Sequence, residues 1–140
     1  MKVIPYLSFN GQCKEAFHFY EQCLGGKIIY MVDHVGSPME NDVPPEWKDK
    51  ILHAQMNIGD QEIMASDSPA EFYKAPRGLY VSLHFDNVNE AERIFHSLAE
   101  GGNVEMPFGE TFWAKGFGMA IDKFGTPWMI NCSVDCTQDQ

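Results

Sequence analysis

The two halves of this 140-residue chain repeat one another, and that duplication constrains the fold more tightly than any other feature of the sequence. Tyr6 and Ser8 return as Tyr80 and Ser82, Glu15-Ala16 as Glu90-Ala91, and Gly25-Gly26 as Gly101-Gly102. The offset drifts by a residue at each loop, as tolerated insertions produce. Each half reads as a strand, a helix and three further strands. In the first half, Val3 to Phe9 is a strand. Cys13, Ala16, Phe17, Tyr20, Cys23 and Leu24 then recur at helical spacing, and Gly25-Gly26 stops the helix. Lys27 to Asp33 is the next strand and 34–50 a long loop. Ile51 to Ile58 and Gln61 to Ser66 form a hairpin about Gly59-Asp60.

The second half opens with a strand at Leu79 to Phe85. An Asn87/Glu90 cap follows, then an apolar stripe from Val88 to Ala99, the stop at Gly101-Gly102 and a strand near Val104. The chain closes with strands Gly118 to Ile121 and Pro127 to Cys132, joined by the type I turn residues Asp122-Lys123-Phe124-Gly125. The expected organisation is one domain over 1–134, with modules at 1–68 and 79–134, a connector at 69–78 and a tail at 135–140. The fold class is α+β: two tandem β-α-β-β-β modules forming a curved mixed sheet around a concave cleft.

Strand parity separates the two faces of the sheet. Leu52, Ala54, Met56 and Ile58 share one face of their strand, and Ile51, His53, Gln55 and Asn57 the other. Leu79, Val81, Leu83 and Phe85 oppose Tyr80, Ser82 and His84; Trp128, Ile130 and Cys132 oppose Met129 and Asn131. The apolar face carries the helices. The mixed face lines the expected pocket. Between Gly109 and Gly118, Glu110, Phe112, Trp113, Lys115 and Phe117 stand among small residues. This stretch reads either as a lid over that pocket or as a loop folded on its own core.

The bulk properties exclude several classes of function. A formal charge of −10 argues against nucleic acid and anionic membranes, both of which require basic surfaces. No apolar run is long enough to span a membrane, and MKVIPYLSF lacks a signal-peptide core. The four cysteines, Cys13, Cys23, Cys132 and Cys136, make no C-x-x-C pair; reduced thiols and a cytoplasmic setting are expected.

A duplicated β-α-β-β-β unit with a D-x-x-G hairpin before its last strand resembles the vicinal oxygen chelate superfamily, which includes glyoxalase I, extradiol dioxygenases and bleomycin resistance proteins. The motifs PYLSF at Pro5 to Phe9, His53-Ala54, Ser66-Asp67, ETFWAKGFG and DKFGTPWMIN resemble its PhnB-like branch, often labelled as a 3-demethylubiquinone-9 3-methyltransferase domain. The resemblance implies a homodimer. It also implies that the positions where metal-dependent members hold a divalent ion fall here at Pro5, Met64, Tyr80 and Met129. Proline offers no ligand atom, and two thioethers with one phenol do not make a site for zinc, nickel or ferrous iron. No metal and no cofactor are therefore expected. The methyltransferase label finds no glycine-rich β-α turn followed by an acidic strand end.

The expected function is small-molecule binding without turnover, for an amphipathic or aromatic ligand. Met64, Ser66, Tyr80, Ser82, Trp113, Phe117, Met129 and Asn131 are the candidate ligand-binding residues. The alternative is a metal-independent isomerase- or lyase-type enzyme with His53 or Glu110 as acid-base. Imidazole titrates near neutrality, and a carboxylate desolvated among aromatics would be raised toward it. A third possibility is a metal enzyme with displaced ligands His53, His84 and Glu110. Against these stand a structural role for His53, a rim charge or a Lys115 salt bridge for Glu110, and core packing for the methionines and aromatics.

Overall fold

A computed structural model describes residues 1–134; the expected tail, with Cys136, lies outside the described residues. The chain divides into two compact units, Met1–Ala75 and Pro76–Gln140. The first contains β1 (Tyr6–Phe9), α1 (Cys13–Leu24), β2 (Lys27–Asp33), β3 (Ile51–Ile58) and β4 (Gln61–Asp67). The second contains β5 (Val81–Phe85), α2 (Val88–Ala99), β6 (Asn103–Gly109), β7 (Ala114–Ile121) and β8 (Pro127–Ser133). Each unit carries a mixed four-stranded sheet in the same order, β1-β4-β3-β2 and β5-β8-β7-β6, with the first strand parallel to the last. This is the expected α+β architecture, with the eight strands divided between two sheets.

One face of each sheet is closed by its helix. In α1, Cys13, Ala16, Phe17, Tyr20 and Cys23 are buried, as are Leu7, Phe9, Ala54, Met56, Ile63 and Ala65 from the strands. In α2, Ala91, Ile94, Phe95 and Leu98 are buried, with Trp128 and Ile130 on β8. Each large side chain so buried contributes roughly 1.5–3 kcal/mol. Asn87 caps α2, its Oδ1 accepting from Glu90 N at 2.9 Å.

Helix α1 has no side-chain cap at Gln12; Asp67, at the end of β4, serves it instead. Its Oδ1 accepts from Cys13 N at 2.9 Å and its Oδ2 from Ile51 N at 2.8 Å, so one buried carboxylate ties the helix start to the start of β3. In the sequence Asp67 stood out only as part of the Ser66-Asp67 motif. Burial pushes its carboxyl above the ordinary range, while the backbone N–H groups of Ile51, Cys13 and Gly11 and the charge of Lys50 pull it down. The neighbouring Cys13 thiol is pushed far up by burial and by the charges of Asp67 and Glu15, which leaves it unreactive.

Three strand starts differ from the sequence reading. Strand β1 starts at Tyr6 and β5 at Val81, so Tyr80 stands just outside the ladder. Strand β7 starts at Ala114, ahead of the expected Gly118. Its first part reads as a loop because it mixes aromatics with glycine, yet it pairs with β8 through Ala114↔Ser133, Gly116↔Cys132 and Phe117↔Asn131. The 34–50 loop contains 3-10 turns at Glu40–Asp42 and Pro45–Trp47. Buried His34 ties its ends: its N donates to Lys48 O at 3.0 Å, and its Nδ1 lies 3.0 Å from Lys50 O.

The glycine pairs divide their labour. Gly25 and Gly101 take positive φ, 72° and 77°, as helix stops. Gly26 and Gly102 are there because the chain passes too close for a side chain. A Cβ on Gly26 would lie 2.9 Å from Asn57 O, and one on Gly102 would collide with Ile121 O and the Asp122 backbone. Gly102→Ala is therefore expected to destabilise the fold by about 3 kcal/mol in urea denaturation. Gly109→Ala, with no atom within 4 Å of its Cβ, is expected to cost under about 1 kcal/mol.

Asp67 also predicts a pH dependence. A carboxyl raised in the folded state contributes stability in full below its unfolded pKa, 3.8, and loses it as pH climbs through the folded value. The unfolding free energy of wild type relative to Asp67→Asn should fall as pH rises from about 4 toward neutrality. A flat difference would remove burial as the dominant influence on this group.

Candidate functional site

The sheet faces opposite the helices carry the candidate residues, and each unit presents its own set. In the first unit, the register Tyr6↔Met64, Met64↔Gln55 and Gln55↔Tyr30 makes one row across the sheet. Ser8 and Ser66 pair in the next row. His53 stands between two tyrosines: Tyr6 OH lies 3.0 Å from His53 Nδ1 with the rings stacked at 5.7 Å, and the Tyr30 ring is also 5.7 Å away. Tyr6 and Tyr30 belong to the two edge strands, so this aromatic chain spans the whole face. Neither tyrosine was among the expected site residues. The match between Tyr6 and Tyr80 in the repeat was the available signal for the first; nothing in the sequence marked the second.

In the second unit, Ser82, Met129, Met119 and Met106 form a continuous row, and His84, Asn131, Phe117 and Gly109 form the next. His84 joins its neighbours: Nε2 lies 2.9 Å from Ser82 Oγ, and Nδ1 lies 3.4 Å from Asn131 Nδ2. Phe117 is buried although it faces away from α2, because Trp113 packs edge-on against it at 5.4 Å. Phe112 in turn meets Trp113 at 4.9 Å while remaining 93% exposed. The aromatic run thus grades from open solvent into the sheet. Met119 was missed by the sequence reading, although its alternation with Phe117 along the strand identifies its face.

Tyr80 shows how strongly this sheet bends. Its OH donates to Glu105 Oε1 at 2.9 Å. Glu105 lies on β6, at the opposite edge of the order β5-β8-β7-β6. Three flat strand spacings would separate those edges by about 14 Å. The bond closes over the methionine row only because the sheet curves, and register breaks in β6 on both sides of Met106 supply extra twist. Nothing in the sequence pointed to Glu105, because its partner is set by that curvature. The hydrogen bond to Glu105, then desolvation and the Glu105 charge, raise the Tyr80 phenol above its ordinary value of 10.0.

The structure therefore places Tyr80, Ser82, Trp113, Phe117, Met129 and Asn131 on one unit's open face, and His53, Met64 and Ser66 on the other's. Glu110 stands apart in the turn between β6 and β7 and is exposed, with no Lys115 salt bridge among the described residues. Exposure removes the desolvation on which its acid-base role was argued. Among the described residues, no three His, Cys, Asp or Glu side chains cluster where a metal ion would fit. The residues at which the resemblance implies metal ligands are Pro5 and Met64 in the first unit and Tyr80 and Met129 in the second; a proline, two thioethers and a phenol bonded to Glu105 are poor donors for a divalent ion.

Fold and face together define a protein class. The chain belongs to the Glyoxalase/Bleomycin resistance protein/Dioxygenase superfamily, whose family model matches residues 3–130. It is 37% identical to protein YjdN of Escherichia coli (strain K12), over 94% of this chain and 95% of that one. Among solved structures it is similar to protein PA1353 from Pseudomonas aeruginosa, with 48% identity, a TM-score of 0.86 and coverage of 95% and 98% of the two chains. It also resembles a PhnB protein from Bacillus cereus described as a putative 3-demethylubiquinone-9 3-methyltransferase. That match has 26% identity, a TM-score of 0.79 and coverage of 95% and 100%.

The Tyr80–Glu105 bond carries a spectroscopic expectation. In an ultraviolet pH titration, Tyr80 should ionise later than its ordinary value of 10.0, and Tyr80→Phe should diminish the late-ionising signal by one tyrosine. Glu105→Gln should return it toward the others. A titration unchanged by both substitutions would mean that the bond does not form in solution.

Proposed function

We propose that this protein binds a small amphipathic or aromatic molecule on the concave face of its second unit, without a metal and without turnover. One observation carries the reading: a flexible thioether floor adjoins an aromatic run and a group of polar side chains on one curved face. Met129 and Met119 form the floor, Trp113 and Phe117 the aromatic run, and Ser82, His84 and Asn131 the polar group. Thioethers adapt to varied apolar shapes, and aromatic faces stack on flat ones. The acidic chain tolerates a cationic ligand. Pairing of two chains and a cytoplasmic setting belong to the same reading. Among the described residues, no helix is long and apolar enough to cross a membrane.

A second reading, a metal-independent isomerase- or lyase-type enzyme, is favoured by the contact between Tyr6 OH and His53 Nδ1, through which a proton can pass. The methyltransferase description of the Bacillus cereus protein does not transfer on the residues present. The glycine pairs here end helices or allow close packing, and do not form a cofactor loop.

A thermal-shift screen over cationic aromatics and phosphonates tests the binding reading. A ligand present at a hundredfold excess over its Kd should stabilise the native state by about 2.7 kcal/mol. Trp113→Ala should then weaken that ligand at least tenfold. A broad set without a stabiliser would count against the proposal, and stoichiometric zinc, nickel or iron in protein purified without added metal would overturn its metal-free part. Once a substrate is known, His53→Ala separates the two readings: unchanged binding with lost turnover selects the enzyme.

A further inference from the structure

A cavity of about 280 Å³ lies at the far end of the first unit's hairpin, lined by Lys2, Gln55, Asn57, Asp60, Gln61 and Glu62 with Gly59. It contains none of the residues of the proposed aromatic site. Its lining is polar throughout, with two carboxylates against one ammonium. At about 30 Å³ per water, it has room for a molecule of several heavy atoms and no more.

Three features specify what such a molecule must offer. Glu62 is well shielded, at 16% side-chain exposure, and both its oxygens are engaged: Oε2 by Lys2 Nζ and Oε1 by Gln55 Nε2, each at 2.6 Å. Lys2 remains 74% exposed, so its charge is held at the cavity by a solvent-facing stem. Such a pair contributes little net stability and yields readily to a competitor. Asn57 sits directly opposite Glu62 in the ladder, and its Oδ1 is buried with no hydrogen-bond partner among the described residues. An acceptor so placed forgoes a hydrogen bond that a donor would restore.

We infer that this cavity is a binding site for a small organic cation carrying N–H groups, of the primary ammonium or guanidinium class. The cation displaces Lys2 from Glu62 and donates to Asn57 Oδ1. Lys2 acts as the chain's own competitor for the site. The inference does not rest on the ligand proposed for the second unit.

Titration of the ¹⁵N-labelled full chain with methylguanidinium tests it. Choline serves as a cation without N–H groups and N-methylacetamide as a neutral donor. Methylguanidinium should give saturable shifts centred on Gln55, Asn57 and Glu62; choline and N-methylacetamide should not. Lys2→Met should tighten binding several-fold and Glu62→Gln should weaken it at least tenfold. Asn57→Asp, which keeps the side-chain size, should tighten it and keeps the test open should Glu62→Gln fail to fold. Trp113→Ala should leave it unchanged. Absence of saturation in the tens of millimolar, equal shifts from choline, or weakening by Lys2→Met or Asn57→Asp would each overturn the assignment.

Discussion

The structure depends on how closely each helix can approach its sheet, and in the second unit that distance is set by missing side chains. Ala114, Gly116, Gly118 and Ala120 alternate along the α2 side of β7, and all four are buried. A Cβ on Gly118 would lie 2.7 Å from the Phe95 ring, and one on Gly116 would collide with Phe108. Phe95 and Phe108 instead meet each other at 5.7 Å above the glycines. Bulk is thereby moved off β7 and onto the helix and β6, which lets the sheet bend beneath α2. The same bend brings Tyr80 to Glu105 across the other face. Packing on the closed side and concavity on the open side are one constraint.

That relation explains which parts of the protein could be read from its sequence. The repeat, the two helical stripes, the hairpins and the allocation of strand faces follow from local spacing, and Ala54, Met56, Trp128 and Ile130 are buried as parity requires. The Asn87 cap was legible because helix capping is a short-range pattern. The start of β7 was not, because its glycines make sense only against Phe95 and Phe108. Asp67 was similarly opaque: its partners Cys13 and Ile51 are far away in the sequence. Among the candidate site residues, parity placed Ser82, Met129 and Asn131 correctly on one face. Glu105 and Tyr30 gain their roles from curvature and register breaks that no local pattern encodes.

The two units show how one scaffold diverges once duplicated. A tyrosine at or just before the first strand is retained in both, and in both it reaches across the open face. In the first unit it meets an imidazole, His53, and in the second a carboxylate, Glu105. In the first pair the donor is set by the imidazole tautomer. In the second the phenol keeps its proton to higher pH, because the hydrogen bond to Glu105, then desolvation and the Glu105 charge, oppose ionisation. Equivalent framework positions have thus acquired opposite electrostatic character.

The turn between β7 and β8 has a role beyond reversing the chain. Asp122 is buried there, accepting from Phe124 N at 2.8 Å, from Thr126 N at 3.1 Å and from the indole of Trp128 at 2.7 Å. The carboxylate pins the fully buried Trp128 to the loop and fixes the hairpin's register from one end. A slip of a single residue would turn Met129 and Asn131 under the helix and expose the indole to water. The identity of the outer surface is thus guarded by an anchor facing the opposite way.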